Sequence, residues 1–411
     1  MAYQEQWNGY TAFKVQSGLG SQSSSTGATV LRQTGGQGGR MSKAAIESME
    51  VRRDGLSTRG RHGLQKTNGA YSSELSVGGF DEILQAVMRG TWGSANLAIT
   101  EATASLTSIT TTASTIVAGA GSWITAGLRV GDVVVLTGHA SAGNNSRNLR
   151  ITGLSASTIT VAETLTVNTT PDTAFTITRT GRVLVNPGAG ALVKRYYTIE
   201  EHEYNLDQSE LFTDCVWGSF RLSMQPNGLL LFDTTWVGTG QFEDLASGSS
   251  PHFTSPSTPT GVPLAVVEAS VKLGSTTLAD LTSFDITVDS QPITPDVISS
   301  SPYAPDVFQG TEMVSMNLSM LRKDLLSVAD FIDETPLSLH VLATENESAP
   351  ESFISIFVPN FTLGSVDKSA LAKAGGPRTQ SISIPPALVG IDNTGSGYDA
   401  TAVKIQVSNA S

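Results

Sequence analysis

Residues Ile46–Trp92 read IESMEVRRDGLSTRGRHGLQKTNGAYSSELSVGGFDEILQAVMRGTW. Ile46, Met49 and Val51 make a strand-like start. Arg52 to Asn68 is a basic stretch punctuated by glycine. Glu74, Leu75, Ser76 and Val77 then alternate polar and apolar, the period of a strand with one buried face. Phe80, Ile83, Leu84, Val87 and Met88 fall at i, i+3, i+4, i+7 and i+8, which places them on one helix face. Asp81 and Glu82 occupy the first turn, where the helix dipole favours negative charge, and Arg89 and Gly90 close the last. The spacing predicts a strand over 46–51, a long loop, a strand over 71–77 and a helix over 80–89.

The same order of elements recurs further along. Phe284, Ile286 and Val288 alternate, a Pro-rich loop spans Gln291–Gly310, and Val314, Met316, Leu318 and Met320 alternate again. A helix follows directly, with Leu321, Leu325, Val328, Ala329 and Ile332 as its stripe and Pro336 beyond its end. Each helix is followed by three strands: near 196–204, 215–224 and 229–236 in the first case, and 337–343, 353–358 and 380–384 in the second. Identity between the two stretches is weak, so the repeat rests on order and spacing.

The chain between and around them sorts by composition. Residues 1–40 are rich in Gly, Ser and Gln and bury too little to offset chain entropy alone, which predicts an N-terminal arm that orders against a neighbour. Residues 41–95 plus 183–245 form a first module. Residues 96–182, dominated by Thr, Ser, Ala, Gly and Val, hold short strands with turn punctuation and no helix, and read as an inserted all-β module facing outward. Residues 246–263 are a Ser/Pro/Thr linker, and 264–411 a second module.

Composition narrows the function. Gly and Pro number 40 and 17 among 411 residues, far below the ~25–30% of low-complexity chains. Only 15% of residues are charged, against about 25% in ordinary domains, which suits a subunit that hides surface against neighbours. The formal net charge of −12 opposes a general grip on nucleic acid. The single Cys215 excludes an intrachain disulfide framework and a Cys-based zinc site. No apolar run is long enough to span a bilayer and no signal segment is visible.

Catalytic and metal motifs are missing. His62, His139, His202, His252 and His340 are scattered, without HExxH spacing. Glu200, Glu201, Glu203, Asp207 and Glu210 lack a calcium-loop pattern. Gly18-x-Gly20 opens no helix, and neither GxSxG nor a Cys–His pairing occurs. The expectation is no enzyme and no cofactor.

The stretch Ile46–Trp92 resembles the start of tail tube proteins (major tail proteins) of bacteriophages with long, non-contractile tails. Gly121-Ser122-Trp123-Ile124 with Gly127-Leu128-Arg129-Val130-Gly131-Asp132-Val133-Val134 is similar to small β modules of phage tail proteins. The resemblance implies a mainly β fold with short helices. It would hold two tube-like β-sandwich or barrel modules, each with one helix, plus the inserted β domain. It also implies a structural protein of the virion tail, assembled in the bacterial host cytoplasm, that stacks rings into a hollow conduit. Viral DNA would pass through without specific binding, and no membrane is involved. A duplicated chain implies three copies per ring with pseudo-sixfold symmetry, the alternative being a hexamer. Tape-measure and tail-terminator proteins would be its partners.

Charge layout fits a conduit. Residues 1–95 carry net +3, 96–182 net +1, and 183–411 net −16. An acidic bore would not hold phosphate, and Glu200, Glu201 and Glu203 are the lumen candidates. The first long loop carries Arg52, Arg53, Arg59, Arg61, His62 and Lys66; the second carries Asp296 and Asp306 and no base. Opposite charge suggests that these loops meet across stacked rings. The competing reading is a carbohydrate-binding or host-adhesion β protein of the virion, for which Trp123 and Trp217 should line an open groove. A glycoside hydrolase would need two facing carboxylates, which nothing in the pattern suggests.

Overall fold

A 17-residue strand, Gln208–Met224, organises the molecule. Its first half lies between Tyr197–Glu203 and Phe242–Leu245, and its second half between Leu231–Gly238 and Leu281–Asp289. A register shift between Trp217 and Ser219 marks the change of neighbours, and such bulges bend a strand. The computed structural model describes residues 3–298, 301–323, 326–346, 350–373, 375–391 and 397–409, the side chain of Leu326 excepted.

Three antiparallel sheets account for the described strands. The largest runs in the order Thr29–Leu31, Gly9–Val15, Tyr197–Glu203, Gln208–Met224, Leu281–Asp289, Met313–Leu321, Thr379–Ile384, Ser365–Lys368. Leu231–Gly238, Arg61–Glu74 and Gly35–Ile46 extend it to one side. A second sheet runs Arg182–Val185, Lys404–Ser408, Phe353–Phe361, Leu337–Thr344, Ala269–Leu273, Thr276–Thr277. The third holds eight strands between Leu97 and Arg179. The fold is mainly β with short helices, as the patterning predicts.

Both larger sheets cross the boundary drawn from composition. Ser219–Met224 of the first flank pairs with Phe284–Asp289 of the second, and Arg182–Val185 pairs with Lys404–Val407. One continuous apolar core joins Trp217, Trp236, Phe220 and Tyr197 to Ile286, Met316, Ile354 and Ile405. The flanks are woven together through shared sheets rather than folded side by side.

The N-terminal segment departs from the arm reading. Gly9–Val15 pairs along its whole length with Tyr197–Glu203, and Ala12, Phe13 and Leu31 are buried. Backbone bonds between Val30 and Ser257, and between Ser257 and Ala28, tie the segment to the 246–263 stretch. The segment completes its own chain's sheet, because Tyr197–Glu203 would otherwise present a bare edge.

The first long loop is also shifted. Gly35–Ile46 and Arg61–Glu74 form a hairpin, so the strands are longer than expected and begin 11 and 10 residues earlier, and 47–60 is the tip. Arg61–Glu74 does alternate, but its inward residues Gln65, Thr67 and Gly69 are polar or lack a side chain, which conceals the period. Gly69 and Gly39 are required by aromatic neighbours: a Cβ there would strike the Trp236 indole and the Phe212 ring respectively.

The two helices differ. On Asp81–Val87, Phe80, Ile83, Leu84, Val87 and Met88 are each no more than 2% exposed. Burial of such side chains contributes roughly 1.5–3 kcal/mol each. The left-handed residue that ends this helix is Arg89, not Gly90, whose lack of a side chain instead admits Leu184. On Leu326–Ile332 the expected core face is open: Val328 is half-buried and Ile332 is 71% exposed. Leu325 lies outside the described residues. The neighbouring sheet leaves a groove at that place where the first helix finds a filled core.

The insertion has its own core around Trp123, Leu136, Ile151 and Ile177, which Phe357 of the second flank enters. Asp132 and Lys404, both essentially inaccessible, pair at 2.6 Å. Gln406 exchanges two hydrogen bonds with the Val133 backbone, both 2.8 Å. Arg150 pairs with Glu163 at 2.8 Å, and Lys272 donates to the Ala162 carbonyl at 2.7 Å. His340 lies buried beside these cations; burial first, then Arg150, Lys404 and Lys272, push its pKa well below the ordinary value, so it stays neutral.

Candidate assembly surface

The hairpin leaves the body of the protein part-way along its length. Thr67–Glu74 pairs with Leu231–Gly238, whereas Arg61–Lys66 pairs only with its own hairpin partner. Ile46, Met49, Val51 and Leu56 near or at the tip are exposed, Val51 almost completely. Monomeric proteins rarely present such clustered apolar residues without a use for them. Between Arg40 and Lys66 stand seven Lys/Arg residues and three carboxylates. Arg52 turns back onto Asp54, which leaves Arg53, Arg59 and Arg61 as exposed cations without a described ion pair.

The second long loop lies against the hairpin of the same chain. The Gln65 amide donates to the Pro302 carbonyl at 2.9 Å, and Ala304 donates to Thr239 at 2.9 Å. Lys66 and Asp296 form an exposed ion pair at 2.8 Å. Asp306 is engaged more deeply, accepting from Lys194 and from the Tyr196 hydroxyl, both at 2.7 Å. Burial opposes its ionisation, but Lys194, Tyr196 and the Val307 amide outweigh that and hold the carboxyl below its usual range. The attraction between a basic and an acidic loop is thus realised within one chain. Asp296 and Asp306 each have a partner within their own chain, Asp296 on the basic loop and Asp306 on Lys194 and Tyr196 outside it.

The three lumen candidates separate by strand alternation. Glu200 is fully buried and accepts the His252 and Phe253 amides at 2.6 and 2.8 Å, so it clamps the 246–263 stretch and faces no bore. Glu201 is mostly enclosed and accepts from Tyr71 at 2.7 Å and from Gly39 at 2.6 Å. Burial pushes its pKa up, while these two donors pull it down. Glu203 is exposed.

Register adds acids that sequence spacing alone does not assemble. Glu210 lies opposite Glu201 on one side and Asp244 on the other. Burial, then Glu201, Glu203 and Asp244, raise the Glu210 pKa. Like charges facing one another across strands destabilise a sheet, so this strip is kept at a cost. Asp244 and Glu243 stay hidden from the sequence reading because Phe242–Leu245 is a short strand with no alternating signal. Among the described residues no group of His, Cys, Asp and Glu could hold a metal ion.

Trp123 and Trp217 are both fully buried, in separate cores, and offer no open aromatic groove. Among the described residues no helix is long and apolar enough to cross a membrane. No curated protein matches the chain. The family model for the phage tail tube protein matches residues 8–386, nearly the whole chain and both sheet-sharing flanks. The chain therefore belongs to the phage tail tube protein family, a structural component of the virion tail.

Proposed function

We propose that this protein assembles with itself into stacked rings that form the hollow tail tube, an acidic conduit for viral DNA with no catalytic role. The observation that carries the reading, beside the family, is the hairpin tip: exposed apolar residues on a basic projection that the chain leaves uncovered. Three copies per ring with pseudo-sixfold symmetry follow from one chain carrying two strand–loop–strand–helix units, with a hexamer as the alternative. The strip of Glu203, Glu210 and Asp244, which share one face of the sheet, is the best described candidate for the bore wall, since fixed negative charge repels phosphate and leaves no ion pairs to break during passage. Tape-measure and terminator proteins of the tail are the expected further partners, and assembly takes place in the host cytoplasm.

Burial of Trp123 and Trp217 removes the aromatic platform on which the adhesion reading depended. Negative-stain microscopy of the purified protein tests the proposal. Rings or tubes whose mass per ring equals three chains are expected. A chain that stays monomeric at high concentration, or a bore lined by lysine and arginine, would overturn it.

A further inference from the structure

The repeated helix is finished in one flank and unfinished in the other. Beneath Leu326–Ile332 lies a groove of about 310 Å³ lined by Leu273, Leu278, Leu281, Met320 and Leu337. Phe331 and Ile332 stand exposed on the helix beside it. Asp280, Lys323 and Asp330 line the groove; Lys323 is paired with Asp280 at 3.0 Å, which leaves Asp330, followed by Asp333 and Glu334, to give this end its negative charge, with no Lys or Arg between Leu326 and Glu334. The chain thus carries two unmatched apolar surfaces of opposite charge: a basic, apolar projection and an acidic, apolar recess. A head-to-tail interface requires such a pair, two different patches on the same subunit that fit each other.

We propose that the hairpin tip of one copy seats over the helix Leu326–Ile332 of a second copy. Met49, Val51 and Leu56 would cover Phe331, Ile332 and the groove, while Arg53 and Arg59 approach Asp330 and Asp333. Methionine suits an irregular recess because its side chain is unbranched and adaptable. The acids that receive the basic tip are then those of the second helix, since Asp296 and Asp306 are occupied within their own chain. This rests on the tube reading above and adds the acceptor for the projection.

Cys215 is fully buried, so an introduced cysteine is the accessible thiol on each chain. A Val51→Cys chain and an Ile332→Cys chain, co-assembled in equal amounts and mildly oxidised, are expected to give a covalent dimer seen on non-reducing gels, and neither chain alone should do so. An Ile298→Cys chain, altered on the exposed second loop, is the control partner. In a second measurement, Arg53→Asp with Arg59→Asp should abolish tubes, and adding Asp330→Arg with Asp333→Arg should restore them. Tubes that form without the 51–332 cross-link, or with a 51–298 cross-link in its place, overturn the seating and leave the tube reading intact. A wild-type chain that never assembles removes both.

Discussion

The insertion and the hairpin both leave the sheet framework, yet they are completed in opposite ways. The insertion is bound back to the second flank by inaccessible ion pairs, by Gln406 on the Val133 backbone, and by Phe357 inside its core. The hairpin's outer half pairs only within itself and carries an apolar tip in solvent. A chain that intends to remain alone covers its apolar residues, as the insertion does. The contrast separates an excursion whose apolar residues are covered by its own chain from one whose apolar tip stays in solvent.

The largest effect should come from breaking the insertion's attachment. Lys404→Met removes the close cation from buried Asp132, leaving it Arg179 at 4.0 Å and the Arg129 amide at 2.8 Å, a loss of about 3 kcal/mol. Chemical denaturation should show this as a lower midpoint, and an unchanged midpoint would mean that the ion pair is not what fixes the insertion.

A smaller effect is expected where the second loop rejoins the sheet. Glu312 accepts both of its hydrogen bonds from the Asn186 amide, and burial raises its pKa to about 7, against the pull of Asn186 and Arg89. An acid whose folded pKa lies above its unfolded value binds more protons when folded, so its penalty is fully present at high pH and disappears on acidification. The protein should therefore gain about 1 kcal/mol between pH 8 and pH 6, a gain that Glu312→Gln removes. Denaturation at the two pH values, compared between the two proteins, measures it; a variant with the same pH slope as the parent would refute the assignment. The second loop would then rank between the fixed insertion and the free hairpin.

The smallest effect on stability belongs to the tip. Val51→Ser changes a residue that touches little in the single chain, so its unfolding free energy should move by no more than about 0.5 kcal/mol. The length and yield of tubes should nevertheless fall. A tip substitution that destabilises the monomer, or leaves tube length unaltered, would erase the distinction between the two excursions.

What could be read from the sequence followed local periodicity. The stripe from Phe80 to Met88 and the alternations at Phe284–Val288 and Val314–Met320 are visible because large apolar residues carry them. The change of composition at residue 96 falls beside the first strand of the third sheet, Leu97–Thr100. Gly35–Ile46 stayed hidden, since an exposed strand built from glycine and small residues has no apolar rhythm. Ile332 misled because helical spacing reports which face is apolar and not what covers it. The pairing of Asp132 with Lys404, and the capture of Asp306 by Lys194, depend on sheet topology and leave no trace in local spacing.

Arg182–Val185 pairs with Lys404–Val407, residues more than 200 positions away along the chain. Contacts between distant parts of a chain form late and cost loop-closure entropy. During translation, neither the second sheet nor the seat for Phe357 in the insertion can close until the ribosome has delivered the last of these residues. An unfinished nascent chain, even one whose hairpin has already emerged, therefore lacks a settled body behind that hairpin.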